Sequence, residues 1–308
     1  MRATDSIGRA TFHHIAPLRG IRPTEREIRW LKHLERHGPQ SSRYLHALTS
    51  DTHRDLDTSL RQMKKLRAGG FLFCPRQQRA TENANFNAYV YDLAPAGRAF
   101  LEDEGLAEDT VTPRGHWVHQ YMTACITGSI DIAARHAGVD YIPAHRILER
   151  SGATLAVEIG RKRLIPDQLF GLDHGGLYRF FCVEADRGTE PRTSTQARKS
   201  ARSLLEDYRA FIGGKLYKER YGLTAGMLLL CVFSSAARER RFLSLVPEVM
   251  GERSAYVLTR TVPEFHAAFR PPALLDHLFD EPWNRSGWPG FRISEVRREK
   301  DAPEGRVR

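Results

Sequence analysis

Leu164-Ile165-Pro166-Asp167-Gln168-Leu169-Phe170-Gly171-Leu172-Asp173-His174-Gly175-Gly176-Leu177-Tyr178-Arg179-Phe180-Phe181-Cys182-Val183-Glu184-Ala185-Asp186 is the stretch on which the fold turns. Two apolar and aromatic runs flank Gly175-Gly176. A Gly-Gly pair is a favoured two-residue hairpin loop, because both positions tolerate positive φ. Such a loop sets the register. Asp167 stands opposite Glu184, and Asp186, two residues further on, shares the face of Glu184. Three carboxyls then converge at one end of a hairpin. Carboxylates so placed repel one another, and oxygen ligands of this kind suit Mg²⁺. The ion could polarise a phosphodiester and lower the pKa of an attacking water. An Asp/Glu pair taken alone is more often a solvated strand end, here salt-bridged to Arg163, Arg187 or Arg192.

The segments on either side extend this hairpin into a domain. A helix is expected from about Trp117 to Ala137, then strands at Thr154–Ile159, Leu164–Leu172 and Leu177–Ala185. A helix from about Thr195 to Ile212, a very apolar strand at Gly226–Phe233, a helix over Ala236–Met250 and a strand at Ala255–Thr259 follow. The order α-β-β-β-α-β-α-β predicts a mixed sheet flanked by helices. Past Pro271-Pro272 the chain turns Trp-, Pro- and Gly-rich. Residues 276–308 read as a C-terminal tail, with Trp283 and Trp288 packing it against the body.

The residues before this domain have another pattern. Residues 1–20 read as a loose basic tail. Thr24-Glu25-Arg26-Glu27 is a capping box that starts a helix carrying Ile28, Leu31 and Leu34, and Gly38-Pro39 stops it. A short helix over Ser41–Thr49 follows. A third, capped by Asp51, carries Leu56, Leu60, Met63 and Leu66 at helical spacing and ends at Gly69-Gly70. Phe71–Cys74 and Ala88–Leu93 read as strands joined by a polar loop, and Pro95 opens a fourth helix. Three helices, a hairpin and a closing helix predict a winged helix-turn-helix over residues 21–108. The polar stretch 106–116 then leads into the second domain, residues 109–275. In a helix-turn-helix the second helix of the pair enters the major groove. Here that helix offers His53, Arg54, Thr58, Arg61, Lys64 and Lys65, and the candidate wing adds Arg76, Gln77, Gln78 and Arg79, backed by Asn83, Asn85 and Asn87. Arg54, Arg61, Lys64, Lys65, Arg76 and Arg79 are the expected DNA-binding residues. Basic residues on a helix face are often only solvated, but charge, helix and hairpin agree here.

Composition sets the frame. The 308 residues carry 47 Lys+Arg against 37 Asp+Glu, a net charge of +10. That balance points to a polyanionic partner and raises nucleic acid as a hypothesis. The hydrophobic share of 41% suits a globular protein rather than a disordered one. The longest strongly apolar run is Met227 to Phe233, far short of the ~20 residues of a membrane helix. The first twenty residues lack the apolar core of a secretory signal. Cys74, Cys125, Cys182 and Cys231 are too widely spaced for a zinc motif and read as reduced thiols, so a cytoplasmic location is expected. No glycine-rich phosphate loop announces a nucleotide cofactor. His33 and His37, at i and i+4, have no evident third ligand and read as surface histidines. His116 and His119 are equally bare, and Ser234-Ser235 lacks the glycines of a nucleophile elbow.

Pro166-Asp167 followed by Glu184-x-Asp186 within this element order resembles the PD-(D/E)XK, or restriction-endonuclease-like, nuclease core. With Glu184-Ala185-Asp186-Arg187-Gly188-Thr189-Glu190 behind a winged helix, the chain is more particularly similar to the replication-relaxation family of plasmid and mobile-element proteins. The resemblance covers about residues 21–260. It implies DNA handling in replication or mobilisation of an element. Asp167 and Glu184 match the superfamily's metal ligands, which would hold Mg²⁺. Asp186 stands where an active nuclease of this type carries Lys, a residue that orients water and stabilises charge on the phosphate. Lys199, in the next helix, is the nearest substitute, but it points away from that helix's apolar stripe, whereas Arg198 and Arg202 flank it. The expected function is therefore a double-stranded-DNA-binding protein with a weak or inactive nuclease-like domain. It would work with a relaxase or replication initiator and could pair with a second copy. Two alternatives stand beside it. One is a Mg²⁺-dependent endonuclease or nickase using Asp167, Glu184, Asp186 and Lys199. The other is a winged-helix transcriptional regulator.

Overall fold

The computed structural model describes residues 15–52, 54–80, 87–111, 115–186, 194–265 and 272–295, with the side chains of 79–80 and 194–199 outside that description. The first unit is helical. Helix α1 (Glu25–His37) starts on the Thr24 capping box, where the Thr24 N–H donates to Glu27 Oε2 at 2.8 Å. Strand β1 (Gln40–Ser41), α2 (Ser42–Leu48), α3 (Leu56–Ala68), β2 (Leu72–Phe73), β3 (Val90–Leu93) and α4 (Pro95–Asp103) follow. The strands form a small antiparallel sheet in the order β1-β3-β2. The expected helix start at Asp51 is displaced. Asp55 caps α3 instead, accepting from the Asp57 and Thr58 amides, and Asp51 accepts from both terminal nitrogens of Arg29 at 2.9 and 3.0 Å. Gln78, read as part of the wing, is buried. Its amide bonds the Val90 N–H and C=O, so it splints β3.

Helix α5 (Trp117–His136) is central to the molecule. Every residue from Tyr121 to Ala134 is buried, the pattern of a helix packed on all sides. Several of its polar members are hydrogen-bonded: Thr127 Oγ1 donates to Thr123 O, and Ser129 Oγ meets Tyr44 Oη and the Leu275 N–H. α1 and α2 pack on one side of it and the large sheet on another. A single apolar cluster thus runs from Trp30 and Leu34 through Ile126 and Ile130 to Phe181, Trp283 and Ile293.

Beyond α5 come β4 (Asp140–Pro143), α6 (Ala144–Glu149), the β5 (Val157–Ile159) and β6 (Lys162–Leu164) hairpin, β7 (Gln168–Asp173), β8 (Tyr178–Asp186), α7 (Ser194–Tyr208), α8 (Leu216–Tyr221), β9 (Met227–Phe233), α9 (Ala236–Met250), β10 (Val257–Thr261), α10 (His277–Asp280), β11 (Trp283–Arg285) and β12 (Trp288–Phe291). Seven strands form a mixed sheet in the order β12-β11-β10-β9-β8-β7-β4, parallel only at β8–β9 and β9–β10. The chain is therefore α+β with a mixed sheet.

Three strands were not anticipated, β4 at one edge of the sheet and β11 and β12 at the other. β4 joins β7, held by a stack of Tyr141, Phe170 and Phe181 with centroids 5.2 and 4.9 Å apart. The stretch read as a tail supplies α10, β11 and β12 instead. Trp283 is fully buried, and its indole N–H donates to Leu278 O. Glu239 of α9 accepts from Thr259, Thr261 and Asn284, binding β10 and β11 to one carboxylate. Among the described residues no helix is long and apolar enough to cross a membrane.

Candidate functional site at the end of the β7–β8 hairpin

The hairpin has the expected register. Gln168 pairs with Val183 and Asp173 with Tyr178, and the His174 N–H donates to Leu177 O around Gly175 (φ 72°) and Gly176 (φ 91°). Positive φ at both positions is what the tight turn requires. Asp167 therefore lies one step beyond the ladder, opposite Glu184. Leu169 and Cys182 face α7 and α9, whereas Phe181, Val183 and Ala185 face α5. Strand alternation puts Glu184 and Asp186 on the α7/α9 side.

Each carboxyl has its own partner. Asp167 Oδ2 accepts the Ala185 N–H at 2.8 Å, and its Oδ1 lies 2.8 Å from His119 Nε2, in the first turn of α5. Glu184 Oε1 accepts from Tyr208 Oη at 2.5 Å. Burial, and then the negative charge of Asp167, push the Glu184 carboxyl well above the usual carboxylate range. Glu184 therefore holds a proton more readily than an ordinary glutamate. Asp186 takes a bidentate ion pair from Arg238 of α9, at 2.7 and 3.0 Å. Arg238 comes from a segment that sequence spacing did not connect with this strand. His119, set aside as bare, and Tyr208 likewise belong to the site.

These contacts bear on the Mg²⁺ expected at Asp167 and Glu184. Both Asp167 oxygens already take part in hydrogen bonds, and Asp186 is engaged by a guanidinium. The two carboxyls remain close enough to influence each other's charge. Lys199 and Arg198 lie in α7, with side chains outside the described residues. Arg202 pairs instead with Glu248 of α9. Lys162 reaches Ser203 Oγ and Asp207 Oδ1 and so fastens the β5–β6 hairpin to α7. A cleft of about 1170 Å³ is lined by Glu108, His145, Arg146, Arg163, Pro166 and Asp167 among others.

The basic surface of the first unit lies on α3. Arg54, Arg61, Lys64 and Lys65 are exposed, as is Arg76 after β2. Arg61 donates to Thr58 Oγ1 and lies 4.0 Å from Asp55. Lys64 and Lys65 have no ion pair among the described residues. The Arg79 side chain, His53, Asn83 and Asn85 fall outside those residues.

His33 and His37 are not surface residues, contrary to expectation. Both are buried against Asp131 of α5, a partner 94 residues from His37. His37 Nε2 lies 2.9 Å and His33 Nδ1 3.6 Å from Asp131 Oδ2. Burial lowers both histidines, His37 to about 4. Arg36 forks onto Glu108 at 2.7 and 3.0 Å and touches Asp131 once, at 3.2 Å.

A family model described as replication-relaxation matches residues 31–227. No curated protein matches the chain. Among solved structures, the crystal structure of an XisH family protein from Nostoc punctiforme is similar over 46% of this chain and 94% of that one. Identity is 14% and the TM-score 0.26, too low to bear on the fold.

Proposed function

Because the chain belongs to the replication-relaxation family, we propose that it is a DNA-binding protein acting in replication or mobilisation of a plasmid or mobile element. In this reading residues 21–108 work as a winged helix that docks α3 on duplex DNA. Residues from 109 onward form a restriction-endonuclease-like body that adds contacts and receives a relaxase or replication initiator. The observation that carries the reading is the exposed basic face of α3. Four cations on and just before one helix suit the phosphate backbone, and Arg suits guanine edges.

Cleavage is slow or absent in this account. An active site of the nuclease type needs a cation free to meet the phosphate. At the Asp186 position the nearest guanidinium, that of Arg238, is instead engaged by the carboxylate. Mg²⁺ at Asp167 and Glu184 would have to displace His119 from Asp167 and the proton from Glu184, so its binding there is weak. Loss of one electrostatic stabiliser lowers rates by ~10²–10³. A gel-shift and cleavage assay on duplex and single-stranded DNA, with and without Mg²⁺, tests this. Salt-sensitive duplex binding without cleavage is expected.

A second reading, a Mg²⁺-dependent nickase, draws on one observation: the cleft lined in part by Asp167, whose charge is felt by the Glu184 carboxyl. Robust Mg²⁺-dependent cleavage, abolished by Asp167→Ala, would favour it over the first.

A further inference from the structure

We propose that His33, His37 and Asp131 form a binding site for one divalent transition-metal ion of the zinc type, which joins α1 to α5. Two imidazoles and a carboxylate offer ligand atoms that all lie within 4.8 Å of one another, the only such group of three among the described residues. Two nitrogens and one oxygen suit Zn²⁺ or Co²⁺ better than Mg²⁺ or Ca²⁺.

Hydrogen bonding at His37 points the same way. With Thr127 Oγ1 donating to Thr123 O at 3.1 Å, its oxygen can accept the Nδ1–H of His37 at 2.9 Å. The other ring nitrogen, Nε2, faces Asp131 Oδ2 at 2.9 Å. In that tautomer the Nε2 lone pair and Asp131 Oδ2 can both be offered to one ion. An ion about 2.0–2.1 Å from each would bridge them at close to a right angle, within the range of His and carboxylate bonds to zinc. Thr127 is the outer hydrogen-bond partner that fixes the metal-facing nitrogen of a ligating histidine.

Arg36 does not replace the ion. Its fork belongs to Glu108, also approached by Lys32 at 3.4 Å, and Asp131 receives a single bond from it. Asp131 is 2% exposed, and its oxygen Oδ2 is shared by His37, His33 and Arg36. His33 Nε2 and the Gln40 side-chain oxygen are also buried without a partner among the described residues, both near Gly128. Ligation through the His33 Nδ1 that faces Asp131 would leave this Nε2 to carry the ring's proton. An ion this enclosed would enter as the chain folds, so its binding energy would also be folding energy.

The test is Co²⁺ titration of tag-free, full-length protein refolded with and without the ion, followed by ligand-field absorption and elemental analysis. Uptake of one equivalent with a low-symmetry visible spectrum is expected. The His33→Gln/His37→Gln variant should lose it, and Thr127→Val should bind ~10–100-fold more weakly. Asp167→Ala, at the other candidate cation site, and His136→Gln, an exposed histidine, should both keep the spectrum. Wild-type protein that folds by circular dichroism yet takes up no cobalt would overturn the proposal, whether or not the double variant folds. A spectrum lost in Asp167→Ala but kept in the histidine variant would do the same.

Discussion

Asp92 shows how much one side chain can carry. It sits on β3, where burial raises its carboxyl to about 6 against an ordinary 3.8, and its Oδ1 accepts the Leu93 N–H. Above both values the group is ionised folded and unfolded, and the folded state bears the desolvation cost. Below the lower value both states are protonated and the cost vanishes. Stability conferred by this position therefore falls as pH rises from about 4 to about 6. Asp92→Asn keeps an acceptor for Leu93 and removes the charge. It should stabilise the protein by about 1–3 kcal/mol at pH 7 and by nearly nothing at pH 3.5. Urea denaturation at both pH values checks this, and an equal gain at both would contradict it. Asp167 calls for a different experiment. Its carboxylate lies near any phosphate that enters the cleft, so Asp167→Ala should leave duplex affinity unchanged or raise it a few-fold by removing repulsion. A large loss in a folded variant would mean that Asp167 holds the DNA, directly or through an ion.

At the level of elements, what was legible followed from local rules. The β7–β8 register could be read because period-two patterning and a two-residue glycine turn fix it from within twenty residues. The capping box before α1 was as local. The partners of that hairpin were not legible. His119, Tyr208 and Arg238 come from three other helices, 48, 24 and 52 residues from the carboxyls they meet. The metal-like cluster was hidden for the same reason: His33 and His37 show their spacing, but Asp131 lies on another helix. β4, β11 and β12 were missed because three- or four-residue edge strands carry too little alternation to stand out. Helix α3 is where the DNA reading can be tested at this scale. Changing Arg54, Arg61, Lys64 and Lys65 together to Ala should weaken duplex binding steeply at low salt. If each cation meets one phosphate, the slope of log affinity against log salt should shrink by about 3–4 units. An unchanged slope in a folded variant would move the DNA interface elsewhere.

Considered whole, the chain joins its N-terminal unit to the large sheet through α5. One apolar cluster crosses that boundary, and the Arg36–Glu108 fork and the histidine pair with Asp131 lie along it. Buried Leu, Ile and Phe side chains each contribute roughly 1.5–3 kcal/mol, so a shared core of this size should couple the two parts. Thermal unfolding followed by circular dichroism and by tryptophan fluorescence should therefore coincide in one transition. Trp30 lies in the N-terminal unit and Trp283 in the large sheet, both in that shared core, and two separate steps would show that the units melt independently. The same coupling would let a contact made by α3 be felt at the hairpin end, since His119 and Asp131 ride on the same helix. The decisive measurement is the affinity of the full-length protein for duplex DNA across a salt series, run beside a Mg²⁺ cleavage assay on the same duplex. The account predicts tight, steeply salt-dependent binding that needs no Mg²⁺, with the DNA left intact. Failure to bind duplex DNA at low salt, or efficient cutting that depends on Asp167, would contradict it.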